Sequence, residues 1–191
     1  MNKPNNYDSI SVNRDPVKLG GHIAVIKKVE ETYSKSGKPQ VVIYIDFDIQ
    51  DEQYGFFKNV YDSDTRDEKK WPNDAKFYIT NSNQETFDRN IKQFVTSFED
   101  SNNATAVWGA QWAAQFAGRK IGVVYGEEES EWNDEIRTNR KIRYFCDAHK
   151  ALEQDVPRKK LYKGSATQSA EDVPADSWMD IPDGDDDTPF R

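Results

Sequence analysis

Basic and aromatic side chains occur together at three places in this sequence of 191 residues. Single-stranded nucleic acid calls for that combination, because cations neutralise its phosphates and exposed rings stack on its bases, at about 1–3 kcal/mol per base. Any one ring could instead fill a core, so the prediction rests on the whole set. The predicted contacts are Tyr33, Lys35, Lys38, Tyr44, Phe57, Lys58, Tyr61, Lys69, Lys70, Trp71, Trp132, Arg137, Arg140, Lys141, Arg143 and Phe145.

A second kind of chemistry lies at the end of the chain, where apolar residues are set among acids. Asp185, Asp186 and Asp187 lead into Pro189 and Phe190. Aspartates attract a basic patch over a distance, and a phenylalanine ring can anchor in an apolar pocket. We therefore expect a docking peptide for partner proteins, with a purely solubilising acidic tail as the alternative. Further upstream, a possible additional anchor is Trp178.

The net charge of −8 argues against a nucleic-acid binder until its distribution is considered. Residues 165–191 hold eight acids and one base, which leaves 26 acids and 25 bases in residues 1–164. The tail therefore carries almost all of the excess negative charge. A nearly neutral body can still present a basic groove, because binding responds to the local potential.

Other chemistries have weaker support in the sequence. Cys146 is the single cysteine, which excludes an intramolecular disulfide, and His22 and His149 lie far apart without a cysteine cluster. We expect no cofactor, no metal and no enzymatic activity. A magnesium-dependent nuclease using Asp62 and Asp64 remains an alternative, and the acidic pair on the second strand could serve the same role.

Targeting signals are also missing from the sequence. No apolar run approaches the roughly 20 residues of a membrane span, and the N-terminus lacks the apolar stretch of a secretory signal. These features predict a cytoplasmic protein, in the cytoplasm of the host cell if a phage encodes it. A homodimer is plausible.

The elements that must position these residues begin with a strand from Leu19, followed by a turn at residues 34–39. A second strand places five apolar residues on one face at strict period two, which leaves Tyr44 on its free face. Residues 56–61 are predicted to form a third strand, exposing either Phe57 and Tyr61 or Phe56 and Lys58. The five apolar residues are Val41, Ile43, Ile45, Phe47 and Ile49.

Helical signals follow the third strand. A charged loop over residues 62–75 and a short extended piece over 76–80 lead to a helix capped by Asn81 or Ser82. Its apolar residues recur every three or four positions, and an alanine-rich helix is expected over residues 106–117. Strands are then predicted at 120–125 and 140–147, separated by a polar excursion. On the last strand, one face is predicted to carry Lys141, Arg143 and Phe145.

This order predicts a mainly β protein with a helical insert: a five-stranded OB-fold barrel with helices between strands 3 and 4. Other five-stranded α+β folds share the order. The predicted domains are a flexible arm (1–18), an OB-fold single-stranded DNA-binding domain (19–163) and a disordered acidic tail (164–191).

The last 13 residues, which carry the aspartate run and Phe190, resemble the C-terminal tip of bacterial and phage single-stranded DNA-binding proteins. Two positions depart from it: Thr188 replaces an aliphatic residue, and Arg191 follows the phenylalanine. In the body, residues 26–31 with 34–39, and residues 116–128, resemble a family of bacteriophage single-stranded DNA-binding proteins.

This resemblance implies an OB-fold that coats single strands during phage replication or recombination and recruits replication or recombination proteins through its tail. We therefore expect binding without sequence specificity. The alternative is an interaction protein whose acidic tail mimics DNA and inhibits a host nuclease.

Overall fold

The computed structural model describes residues 16–162. The predicted arm lies outside this part up to residue 15, and so does the predicted tail, with the partner-binding candidates Trp178, Asp185, Asp186, Asp187, Pro189 and Phe190. Ordered structure begins before the predicted boundary at residue 18, because Val17 is buried in the core and Lys18 forms an ion pair with Glu52. None of the helices described in this range is long and apolar enough to cross a membrane.

Five antiparallel strands form one sheet in the order β3-β2-β1-β4-β5. The bounds are β1 Gly20–Tyr33, β2 Pro39–Phe47, β3 Lys76–Thr80, β4 Lys120–Trp132 and β5 Glu135–Cys146, with helices α1 Phe56–Asp62 and α2 Gln84–Asn102. A mainly β fold with a helix between strands 3 and 4 is thus confirmed. The sheet is not closed into a barrel: among residues 16–162, β3 and β5 form its two unpaired edges.

The second strand confirms its predicted face. Val41, Ile43, Ile45 and Phe47 are all buried, as their period-two pattern requires. Ile49 was predicted to join them, but the strand ends at Phe47 and the Ile49 side chain is largely exposed. The alternation therefore continued in the sequence for two residues beyond the hydrogen-bonded strand.

The predicted third strand at residues 56–61 is wrong, because this segment is the helix α1. Phe57, Val60 and Tyr61 stand at helical spacing; Phe57 is buried, and the other two are partly buried. The carboxylate of Asp46 accepts hydrogen bonds from the backbone N–H groups of Phe57 (3.0 Å) and Lys58 (3.3 Å), which satisfies the helix start from a neighbouring strand. The third strand is instead the short extended piece over residues 76–80.

The helix α2 is confirmed, although its cap is Asn83, whose side chain accepts from the N–H of Thr86. Its apolar stripe packs Phe94 and Phe98 into the core. The alanine-rich helix predicted over residues 106–117 is reduced to a single 3₁₀ segment, Trp112–Phe116. Its two aromatic ends are buried, and the preceding residues form a loop around Gly109.

The predicted polar excursion is a β-hairpin that extends β4 and β5. We call it the hairpin arm, residues 126–132 and 135–141. Its two-residue tip, Asn133 and Asp134, has positive φ angles of 52° and 62°, as a type I′ hairpin turn requires. Lys160 pairs with the arm at Glu128, so the segment around Lys160 supports the arm along one side.

Two bulges change which side chains share a face. In β1 the register shifts between Ile26 and Lys28. In β5 Tyr144 pairs with Val124 but Ile142 pairs with Tyr125, so Arg143 is the extra residue. A bulge adds one residue to a strand and reverses its later alternation. As a result both Ile142 and Phe145 point into the core.

A buried contact between His22 and Asp51 joins β1 to the turn after β2. His22 Nδ1 lies 3.1 Å from a carboxylate oxygen of Asp51, and its Nε2 lies 3.0 Å from the carbonyl oxygen of Lys18. Both ring nitrogens therefore lie within hydrogen-bond distance of an oxygen acceptor. The ring also stacks on Phe47, with centroids 4.5 Å apart. This contact holds the start of β1 against the turn that follows β2.

Candidate functional site

The outer face of β1, β2 and β3 carries two tyrosines between lysines. We call it the tyrosine face: Lys28, Glu30, Tyr44, Lys76 and Tyr78. Strand pairing places Tyr44 between Lys28 on one neighbour and Lys76 on the other, while Tyr78 stands opposite Val42. The Lys76 ammonium lies 5.3 Å from the centre of the Tyr44 ring, and Tyr78 is 45% exposed. Rings and cations therefore alternate across three adjacent strands.

Glu30 lies within this face and organises it. Its carboxylate pairs with the Lys28 ammonium and accepts a hydrogen bond of 2.5 Å from the Tyr44 hydroxyl. These two hydrogen bonds lower the pKa of Glu30. Burial, followed by the bond to Glu30, raises the pKa of Tyr44 far above its ordinary value, so the phenol stays neutral. The face therefore presents neutral rings beside two ammonium groups and one held carboxylate.

The predicted Lys69–Trp71 group meets Tyr61 at one end of this face. We call Tyr61, Lys69, Lys70 and Trp71 the Trp71 cluster. The Trp71 and Tyr61 ring centres are 5.5 Å apart, and Lys69 Nζ lies 5.9 Å from the Tyr61 centre. Trp71 Nε1 donates to the carbonyl oxygen of Ile45, next to Tyr44 along β2.

Electrostatics link the cluster to the face. Burial lowers the pKa of Lys76, and the charge of Lys70 lowers it further. The same loop also carries Asp67 and Glu68, so its charge is mixed. The feature that distinguishes this surface is therefore its aromatic rings with lysines beside them, rather than an excess of positive charge.

The turn at the other end of β2 presents the predicted Tyr33, Lys35 and Lys38. All three are exposed, and the Tyr33 ring is 73% exposed. The turn is held by Ser34, whose backbone N–H donates to Lys38 and whose hydroxyl accepts from the Lys38 N–H. Gly37 supplies the positive φ of 75°. From this turn to Ile45 the strand spans roughly 20 Å.

The charges of the basic residues of β5, which lie on the hairpin arm except for Arg143, are partly compensated. Arg137 pairs with Glu135, whereas Arg140 donates to the carbonyl oxygen of Val17 and Arg143 to that of Glu127. A backbone carbonyl carries no net charge, so these hydrogen bonds do not neutralise Arg140 or Arg143. Two acidic residues of β4 are in turn paired with lysines that follow β5 in the chain, through Lys159–Glu129 and Lys160–Glu128.

A cleft of about 420 Å³ connects the hairpin arm with the region of the Trp71 cluster. Arg140 and Asn139 line one wall, and Phe56, Val60 and Pro72 line the other. Pro72 directly follows Trp71, and Val60 directly precedes Tyr61. Arg140 of the hairpin arm and the chain neighbours of the Trp71 cluster therefore line the same cleft. Trp132, at the far end of the arm, is 62% exposed and contacts no other predicted ring.

Two predicted contacts are core residues instead. Phe57 is 1% exposed because α1 turns it inward, and Phe145 is 3% exposed because the bulge at Arg143 reverses its side. Phe145 packs against Phe77 and Phe94, with centroids 5.0 and 5.3 Å apart. The prediction that Lys141, Arg143 and Phe145 share one face is therefore wrong. Lys58 is exposed and pairs with Asp62.

Sequence reasoning missed four of the five members of the tyrosine face, Lys28, Glu30, Lys76 and Tyr78. The alternation in residues 76–80 was the available signal, because a strand there places Lys76 and Tyr78 on one side and Phe77 and Ile79 on the other. Which side faces outward depends on pairing with β2, and the sequence does not specify that pairing.

The carboxylates of the nuclease alternative are already occupied. Asp62 pairs with Lys58 and Asp64 with Arg66, and these arginine contacts lower the pKa of Asp64 to about 2. Asp46 caps α1, and Asp48 pairs with Lys120. Within residues 16–162, no group of three histidine, cysteine or acidic side chains is arranged to hold a metal ion.

Comparison with known proteins adds no relative. No model of a known protein family matches this chain, and a search of curated proteins finds no significant match.

Proposed function

We propose that the protein binds single-stranded DNA without sequence specificity, through the tyrosine face and the Trp71 cluster. The observation that carries this proposal is the placement of Tyr44 and Tyr78 on adjacent strands, with Lys76 beside the Tyr44 ring. Rings accept any base by stacking, and lysines accept any phosphate, so the arrangement favours binding that is indifferent to sequence.

The sheet supports the proposal as a variant of the OB-fold. OB-folds are partly open five-stranded barrels that bind oligonucleotides on strands 2 and 3 and on the loops joining strands 1–2 and 4–5. Here the tyrosine face lies on β2 and β3, the 34–38 turn joins β1 to β2, and the hairpin arm joins β4 to β5. The Phe77–Phe145 contact brings the two sheet edges together by side chains alone. The binding candidates thus lie where an OB-fold would use them.

The cleft beside Arg140 extends this surface toward the hairpin arm. A strand leaving the Trp71 cluster would meet the guanidinium of Arg140 there. The tail, on the strength of its sequence alone, is proposed to recruit replication or recombination proteins while the body covers the DNA. The protein then acts as a coating and recruiting factor in phage DNA metabolism.

The test is a titration of the full chain with fluorescently labelled dT, dC and mixed-sequence oligonucleotides, read by anisotropy at two salt concentrations. Similar affinities for all three sequences, weaker at higher salt, are expected. A duplex and an RNA of the same length serve as competitors. Absence of binding at low salt, or preference for the duplex, would contradict the proposal. Tighter binding of the RNA would show that the ligand is single-stranded RNA rather than DNA.

A further inference from the structure

An exposed tryptophan lies beyond the tyrosine face, on the loop that precedes the Trp112–Phe116 segment. Trp108 is 65% exposed, and its ring stacks on Trp112 with centroids 5.5 Å apart and planes inclined by 11°. Trp112 is buried against Phe94 and Phe116. The core thus supports one surface of the Trp108 ring, and much of the remaining ring faces solvent.

The loop that presents Trp108 is tied down at several points. The Gln115 side chain accepts from the Val107 N–H (2.7 Å) and donates to the Val107 carbonyl (2.9 Å). Glu99 accepts from the Ala106 N–H at 2.8 Å. The ring is therefore already held in place, so a ligand that stacks on it loses little conformational entropy on binding.

A cavity of about 550 Å³ separates this loop from β1. Its walls are Lys28 and Val29 on β1, Ala110 and Gln111 from the loop, and small side chains of the Trp112–Phe116 segment and the residue after it, namely Ala113, Ala114 and Ala117. It lies along an open edge, because β1 pairs with β4 only over residues 20–25. Beyond residue 25, the backbone of Ile26 forms hydrogen bonds on that side: its N–H donates to the carbonyl of Arg119, and its carbonyl accepts from the N–H of Gly118.

Lys28 belongs both to this cavity and to the tyrosine face, where it stands opposite Tyr44. Neighbouring strands lie about 5 Å apart, so the cavity begins one strand beyond Tyr44. Arg119, which follows the Trp112–Phe116 segment and is exposed, forms no ion pair within residues 16–162. A chain crossing the tyrosine face at right angles to the strands would therefore meet Lys28, the cavity and then the Trp108 loop.

We propose that Trp108 and the cavity beside β1 form a stacking site for a further base of the bound single strand, which extends the footprint across β1. This inference rests on the proposed function. The flanking cations favour an anionic occupant over a neutral peptide, and the continuity through Lys28 favours the strand proposed to lie on Tyr44 over an acidic peptide. An aromatic ring next to cations is the pairing that single strands use.

The test compares wild-type full-length protein with Trp108→Ala on dT oligonucleotides of increasing length, by anisotropy. Oligonucleotides of about four nucleotides, which cover only the tyrosine face, should bind both proteins equally. For longer ones the wild type should gain affinity and Trp108→Ala should fall behind by about 10-fold, within the 5- to 150-fold range that loss of one stacked base implies. Trp108→Phe should restore most of the gain.

Matched measurements separate the possible failures. Leu152→Ala removes an equally exposed apolar side chain elsewhere and should bind like the wild type at every length. If the wild type binds no oligonucleotide, the proposed function fails. If it binds and Tyr44→Ala weakens it, but Trp108→Ala matches wild type at all lengths, only the inference is overturned.

Two further outcomes would also overturn the inference. Equal loss at every length would place Trp108 within the minimal site rather than beyond it. A synthetic peptide of residues 176–191 that binds the wild type but not Trp108→Ala, with DNA affinity unchanged by the substitution, would identify the occupant as an acidic peptide.

Discussion

The ammonium of Lys76 lies 5.3 Å from the centre of the Tyr44 ring, across the β2–β3 pair. Lys28 flanks Tyr44 from β1, and Glu30 holds the phenol by its hydroxyl. A ring held in this way is oriented before any ligand arrives, and its charged neighbours are placed to meet phosphates on either side. Tyr44 is therefore the residue on which the proposed binding surface depends most.

Replacing Tyr44 with alanine should weaken binding to a dT oligonucleotide by about 1–3 kcal/mol, because one stacking surface is lost. Tyr44→Phe keeps the ring and should retain most of the affinity. Tyr54→Ala, which removes an exposed tyrosine outside the face, is the matched control. Anisotropy titrations measure all three variants. Equal losses for Tyr44→Ala and Tyr54→Ala would mean that the effect is not specific to the face.

Binding should depend on salt with a slope set by the lysines involved. Four contacts, from Lys28, Lys76, Lys69 and Lys70, predict a slope of about −3 in log K against log salt, at about 0.7 per phosphate for single strands. Lys76→Gln should reduce the slope by about 0.7, whereas Lys92→Gln, on the exposed side of α2, should leave it unchanged. A slope near zero for the wild type would exclude phosphate contacts.

The pKa values of two buried aspartates are shifted in opposite directions. Burial alone would raise the pKa of Asp51, but hydrogen bonds from His22 and from backbone N–H groups outweigh it and lower the pKa. Burial raises the pKa of Asp46, although its carboxylate accepts hydrogen bonds from three backbone N–H groups. The ionised Asp51 therefore stabilises the fold above its unfolded pKa of about 4, and this stabilisation is lost as the pH falls through the folded pKa.

Asp51→Asn should lower the free energy of unfolding by about 1–3 kcal/mol at pH 7, because it removes the buried carboxylate that contacts the His22 ring and accepts from the N–H groups of Ile23 and Gln53. The difference from wild type should shrink as the pH falls below about 4. Asp46→Asn removes a buried charge but keeps an acceptor oxygen, so its loss at pH 7 should stay within about 1 kcal/mol. Urea unfolding between pH 3 and pH 7 measures both; a gap for Asp51→Asn that is constant with pH would contradict a stabilising role of the ionised Asp51.

Two aromatic residues of α1 should separate stability from binding. Phe57→Ala should reduce the free energy of unfolding by about 3–5 kcal/mol, because the ring is fully buried. Tyr61→Ala should have a smaller effect on stability but weaken DNA binding by about 1–3 kcal/mol, because Tyr61 lies beside Trp71 and under Lys69. Urea denaturation and anisotropy together test the pair. The reverse result would restore the strand interpretation of residues 56–61.

Periodic patterns among residues close together in the chain can be recognised from the sequence alone. The alternation of Val41, Ile43, Ile45 and Phe47 identifies one face of β2 without knowledge of its partners. The helical spacing of Phe94 and Phe98 does the same for α2. Residues 56–61 were misread because their short apolar pattern fits both periods, and the group that favours the helix, Asp46, lies on another strand.

Which side chains form the site depends more heavily on how the strands pair with one another. Arg143 becomes a bulge only because β5 adds one residue opposite β4, and that single residue moves Phe145 from the outer face to the core. The hairpin arm needed two backbone positions with positive φ, which Asn133 and Asp134 supply without the more familiar glycine.

The sequence by itself determined the residue types for stacking and phosphate contact, the mainly β character with a helix before β4, and the concentration of acid at the chain end. Only the tertiary structure decided which rings are available, because burial of Phe57 and Phe145 and the exposure of Tyr78 and Trp108 follow from contacts between segments far apart in the chain. Local periodicity specifies that a strand has two faces, but the register of its neighbours and a single bulge specify which of them meets solvent.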